Sequence, residues 1–164
     1  MSTSVKSTPA GHGHLIPHLV CSPCTEAMAF YAKAFGAVET FRLPAPDGKR
    51  LIHASMKIGD SILMLVDDFP EFCGGKSSSP LALKGSPVTI HQFVPDCDAA
   101  IKRAADAGAS VTMPAADMFW GDRYGMVTDP FGHNWSLATH QKDLTPQEIH
   151  AAMVEAFAQH PANG

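Results

Sequence analysis

Short runs of apolar or alternating residues recur along the chain between clusters of Gly, Pro, Asn and Asp, and three stretches show helical spacing instead. Residues 15–20 alternate and suit a strand. Residues 25–35 place Met28, Phe30, Tyr31 and Phe35 at helical spacing and stop at Gly36, a residue that favours helix ends. Residues 38–43 read as a strand, "PAPDGK" supplies turn chemistry, and residues 51–58 return as the hairpin partner. Gly59-Asp60 then turns the chain into residues 61–66. The order is β-α-β-β-β.

The same order follows again. Residues 88–94 suit a strand, 98–107 an alanine-rich helix stopped at Gly108, and 110–113, 123–128 and 134–139 three further strands. Sliding the sequence by 73 positions puts His18 on His91, Cys24 on Cys97, Gly48 on Gly121, Arg50 on Arg123 and Gly59 on Gly132. Rare residues agreeing at one offset point to a duplication. The predicted organisation is a flexible arm (1–14) and a domain spanning 15–143, followed by a C-terminal helix and tail (144–164). Within the domain, module one covers 15–67, a Gly/Ser/Pro-rich connector 68–86 and module two 87–143. The last helix, 146–159, gathers Ile149, Met153, Val154 and Phe157 on one face.

Composition narrows the function classes. Of 164 residues, 45% are hydrophobic and 17% charged, as in a globular protein whose core needs no covalent staples. The net charge of -4 and the absence of a basic cluster argue against nucleic acid. No stretch supplies the roughly 18 apolar residues of a membrane helix, and residues 1–13 hold no signal-like core. Four scattered cysteines favour a reducing, cytoplasmic location.

Three segments carry a family resemblance: "AMAFYAKAFGA" after the first strand, "MFWGDRYG", and "DPFGHNWSLATH" near the end. With them the chain resembles the vicinal-oxygen-chelate (glyoxalase/bleomycin-resistance/dioxygenase) superfamily. "FWGDRYG" and "LTPQEI", which opens the last helix, resemble its PhnB-like branch. The resemblance covers residues 15–157. It implies an α+β fold of duplicated βαβββ modules forming half-barrels around a cavity, plus the C-terminal helix. It also implies homodimers, which cover open sheet edges. Metal-using members hold their ion at positions that map here onto Ile16, Leu63, Thr89 and Ser136. None of these is His, Asp or Glu, so no metal and no other cofactor is expected.

Chemistry can still come from other side chains. His18 and His91 lie two residues beyond lost ligand positions, and alternation turns both towards the same face as those positions. They could bind an oxyanion, exchange protons or hold a metal in a shifted site; the plainer reading is two histidines hydrogen-bonded to backbone or water. Trp120, Arg123 and Tyr124 could wall a planar or anionic ligand, with Arg123 as its cationic anchor. Alternatively, Trp120 plugs the fold and Arg123 pairs with Asp122 or Asp129. His18, His91 and Tyr124 are thus candidate acids or bases, and His18, His91, Trp120, Arg123 and Tyr124 a candidate binding set. His53 and His133 follow the same logic more weakly. Cys21-Ser-Pro-Cys24 has redox-motif spacing, but nothing around it suggests a thioredoxin-like unit. The functions left open are a small-molecule enzyme with a metal, a metal-free one, and a drug-sequestering binder.

Overall fold

The computed structural model describes residues 7–159; residues 1–6 of the expected arm and 160–164 of the expected tail lie outside the described residues. Two units emerge. The first runs to Pro87 and includes Pro130–His133, and the second comprises Val88–Asp129 and the chain from Asn134 onward.

In the first unit, β1 (His18–Cys21), α1 (Cys24–Phe35), β2 (Val38–Pro44), β3 (Leu51–Ile58) and β4 (Ser61–Asp67) follow in order. They build one open sheet, β1-β4-β3-β2, in which β1 runs parallel to β4 and the other pairs are antiparallel. Pro23 at the start of α1 makes no side-chain cap. Buried Asp67 replaces it from the end of β4, accepting the Cys24 N–H at 2.9 Å and the Leu51 N–H at 2.7 Å. Gly36 closes the helix at φ 67°, where a side chain would be strained. The helix buries Met28, Tyr31 and Phe35 over Leu19, Met56, Leu63 and Leu65. The connector carries a 3₁₀ turn (Pro70–Phe72) and the single-turn helix α2 (Pro80–Leu83). Asp68 ties it down through Ser77, Ser78 and Ser79.

The second unit repeats the plan with β5 (Thr89–Phe93), α3 (Cys97–Ala107), β6 (Ser110–Asp117), β7 (Asp122–Thr128) and β8 (Asn134–His140), in sheet order β5-β8-β7-β6. Asp96 caps α3 by accepting the Ala99 N–H at 2.9 Å. The core holds Ile101, Ala104, Val127, Trp135 and Leu137. The C-terminal helix α4 (Pro146–Gln159) follows. The fold is therefore α+β, duplicated βαβββ with both sheets open and a C-terminal helix, as the sequence predicts.

Two elements differ by more than a residue at one end. The predicted strand 15–20 shrinks to His18–Cys21, with Leu15 92% exposed ahead of it. The predicted strand 110–113 runs on through Pro114 to Asp117. It lies at the sheet edge, where a missing N–H is tolerated, and its pairing is irregular there.

The register also corrects the repeat. His18 pairs Met64, which pairs Ser55; His91 pairs Ser136, which pairs Met126. Equivalent rows are thus offset by 73, 72 and 71. The turn of residues 59–60 has two residues, whereas that of 129–133 has five. Ser136 therefore corresponds to Met64, not Leu63. Leu63 is 3% exposed on the α1 side of its sheet.

Candidate functional site

Each sheet has one face covered by its helix and one face turned away from it. In the second unit, alternation from the pairs His91–Ser136, Ser136–Met126 and Tyr124–Ala138 sends these residues to the face away from α3. On that face a succession of rings runs across the sheet. Phe93 meets His91 edge-on at 4.7 Å, and His91 stacks with Tyr124 at 6.1 Å and 17°. Tyr124 meets Trp120 edge-on at 5.5 Å, and Trp120 meets Phe119 at 5.0 Å. His91 Nδ1 lies 2.8 Å from Ser136 Oγ, which orients the ring and leaves Nε2 without a partner among the described residues. Ser136 is 2% exposed, so its hydroxyl serves His91 rather than a ligand.

The Trp120 indole donates to Asp122 Oδ2 at 3.1 Å. The other Asp122 oxygen lies 2.8 Å from His140 Nδ1, and His140 Nε2 lies 2.9 Å from Asp143 Oδ1. These contacts, Asp143 first, raise the His140 pKa above the ordinary histidine value. Residue-type reasoning singled out neither Asp122 as a partner of the indole nor His140 as more than an edge residue. The signal was available in the alternation 120–122–124 on either side of Arg123.

Arg123 does not join the other candidates. Neighbouring residues of a strand point to opposite faces, so with Tyr124 on the open face Arg123 lies on the α3 side. There its guanidinium donates to Asp98 of α3 at 2.8 Å and to Asp117 of β6 at 3.1 Å. Pairing with those two carboxylates, rather than with Asp122 or Asp129, raises its pKa further.

His18 belongs to the first unit. It meets His53 edge-on at 5.9 Å, and His53 in turn meets Phe41 at 6.1 Å and Ser55 Oγ at 3.1 Å. Burial, and then the neighbouring His53, push the His18 pKa below the ordinary histidine value. His133 is buried, with Nε2 3.0 Å from the Val20 carbonyl and 3.8 Å from Cys21 Sγ, a structural placement. Cys21 also lies 3.8 Å from Tyr31 Oη, on the helix side of β1. Burial, then Asp67, push the Cys24 thiol up to about 12, which leaves it a poor nucleophile. None of the four cysteines is in a disulfide.

The corrected register leaves Ile16, Met64, Thr89 and Ser136 at the positions where metal-using relatives hold their ion. One thioether and two hydroxyls, with no carboxylate or imidazole, do not fit a divalent metal. Among the described residues no group of three or more His, Cys, Asp or Glu is placed to hold one. No helix there is long and apolar enough to cross a membrane.

Comparison with known proteins agrees with this architecture. An uncharacterised protein of Mycobacterium tuberculosis is 53% identical over 139 residues, covering 85% of this chain and 81% of its own. A protein of Arabidopsis thaliana is 31% identical over 131 residues, covering 74% of this chain and 75% of its own. Among solved structures, TioX from Micromonospora sp. ML1 superposes with a TM-score of 0.62 at 26% identity, covering 78% of this chain and 98% of that one. A Pseudomonas aeruginosa protein gives 0.60 at 27% identity, with the same coverage of both chains. The sequence model of the Glyoxalase/Bleomycin resistance protein/Dioxygenase superfamily matches residues 12–137, and the chain belongs to that superfamily.

Proposed function

We propose that the chain binds a small planar molecule on the open face of the second sheet, without a divalent metal at the superfamily's usual position. The observation that carries this is the unbroken succession of rings from Phe93 through His91 and Tyr124 to Trp120. Ring faces presented in such a row stack ligands at small entropic cost, and the polar atoms among them set orientation. "FWGDRYG" supplies Trp120 and Tyr124, which supports the PhnB-like reading. Since Arg123 is committed to Asp98 and Asp117, it does not serve as an anchor for an anion. With its Nδ1–H donated to Ser136, His91 presents a lone pair at Nε2, and this with the Tyr124 hydroxyl favours a neutral or cationic ligand with an N–H or O–H beside its ring. If the site is catalytic, His91 and Tyr124 are its acid–base groups.

Three naphthalene probes test this: 2-naphthamide, 2-naphthoate and 2-naphthylmethylammonium. The neutral and cationic probes bind and raise the melting temperature, while the anion does not. Tyr124→Ala weakens 2-naphthamide about fivefold to tenfold, and His91→Phe keeps stacking but loses the acceptor. Equal binding by wild type and both variants sinks the reading. Elemental analysis finding about one tightly held divalent ion per chain favours the metal-dependent alternative instead.

A second copy of the chain is the partner we propose. Edge strand β2 exposes Val38, Phe41 and Leu43, edge strand β5 exposes Phe93 at 63%, and α4 exposes Phe157 at 66%. Apolar side chains on open edges favour pairing between copies. The composition supports neither nucleic acid nor membrane as a partner, and cysteines without disulfides support a cytoplasmic setting.

A further inference from the structure

This inference rests on the ligand-face reading above and concerns what holds Trp120 there. Asp122 divides its oxygens between two rings, accepting the Trp120 indole N–H on Oδ2 and facing His140 Nδ1 with Oδ1. The second His140 nitrogen faces Asp143, in the segment between β8 and α4. A neutral imidazole has one N–H and one lone pair, so it can donate to only one of two flanking carboxylates. Both contacts are donated only by the imidazolium. Of the other charged groups near this cluster, Arg123 binds Asp98 and Asp117 and Glu148 binds Thr145, while Lys142 stands beside Gly121 between His140 and Asp143 and keeps its charge across the histidine range. On the open face itself stand Tyr124 and His91.

The exposures suit a relay. The His140 side chain is 54% exposed and Asp143 fully so, while the Asp122 side chain is only 13% exposed. A proton is thus exchanged with solvent at His140, and its loss is felt by a largely covered carboxylate. The anchoring is short-ranged, because Gln141 and Lys142 donate their backbone N–H groups to the Gly121 carbonyl at 3.0 Å each, beside Trp120.

We propose that His140 is a proton-operated positioning residue for the ligand face. Charged, it ties Asp122 to Asp143 and fixes the indole of Trp120 edge-on to Tyr124. Neutral, it donates to Asp143 alone, which releases Asp122 and lets the indole turn with it. The ligand face is therefore ordered at mildly acidic to neutral pH and loosened in base.

Tryptophan emission of the ligand-free full chain, followed from about pH 5 to about pH 9, tests the device directly. Trp135 is 1% exposed and donates to Asp129, so it contributes a constant background. The expected result is a one-proton transition in wild type, centred above the ordinary histidine value, that disappears in His140→Gln and in Trp120→Phe. Asp143→Asn, at an exposed site, keeps the transition and moves it to lower pH. A flat wild-type profile, or a transition that survives in His140→Gln, overturns the proposal. A second arm measures 2-naphthamide, which does not titrate in this range. Its affinity falls about fivefold from the acidic to the basic end in wild type and stays constant in His140→Gln. If the probe binds wild type equally at both ends, the device fails and the ligand face stands. If the emission transition is present but the probe binds at no pH, the ligand face fails and the device stands.

Discussion

Gly121 and Gly125 close the two ends of one five-residue stretch and exclude a side chain for different reasons. At Gly121 φ is 99°, and an added Cβ would lie 2.7 Å from the Lys142 carbonyl. At Gly125 the backbone is ordinary, but a Cβ would press at 3.0–3.1 Å on Met113 O, Ala115 N and Ile101 Cδ1, between β6 and α3. Gly121→Ala should cost about 1–3 kcal/mol through strain and should also uncouple residues 141–142 from Trp120. Gly125→Ala should cost a similar amount by overpacking, about 1–3 kcal/mol, with Trp120 emission unchanged. Urea unfolding with emission as the probe separates them. At this scale alternation gave His91 a face in the sequence, but that Tyr124 shares it needed the cross-strand register. Arg123 was legible by the same rule, because it adjoins Tyr124 within a strand and must point the other way; a motif read as one cluster hides that. Leu63 could not have been corrected without the pairing register, since the strands before and after this turn differ in offset by a single residue, 71 against 72.

Among the elements, α4 is the most loosely attached. None of its residues is buried, and its recorded ring contact is Phe157 with Phe119 at 6.5 Å. Its start is well made all the same. The Thr145 hydroxyl accepts the Glu148 N–H at 3.3 Å while Glu148 accepts the Thr145 N–H at 2.7 Å, a reciprocal capping box legible as "TPQE". Truncation before Thr145 should leave the unfolding midpoint of the rest nearly unchanged but weaken assembly, if the apolar face of α4 serves a second copy. Light scattering of full and truncated chains decides it, and equal masses for both remove α4 from the interface. The end of β8 carries a pH signature of its own. His140 has its pKa raised in the folded chain, so its contribution is fully present below about pH 6.5 and is lost as pH rises through the folded value. The stability difference between wild type and His140→Gln should therefore shrink from pH 6 to pH 9, measured by urea midpoints at constant salt. A difference that grows with pH contradicts the sign.

On the scale of the whole molecule, the duplicated order of elements was the most legible feature, because period-two and helical patterns recur in the same sequence twice. The five-residue turn between β7 and β8 does more than join two strands. Residues Pro130–His133 group with the first unit. Phe131 sets its ring against Phe30 and Tyr31 at 6.2 and 6.4 Å, and His133 reaches the Val20 carbonyl. Gly132 sits so close to Pro80 that a Cβ would meet it at 2.9 Å. Phe131→Ala should accordingly cost about 3–5 kcal/mol, as for a buried core aromatic, although it lies in a turn. The consequence reaches to protein synthesis. A ribosome delivers the first module early, but the wedge that completes its core is more than forty residues later in the chain. Until residue 133 emerges, the first unit must wait with its aromatic cluster incomplete. A nascent chain arrested soon after Pro87 should thus be cut readily by protease within α1, and one arrested well beyond His140 should resist.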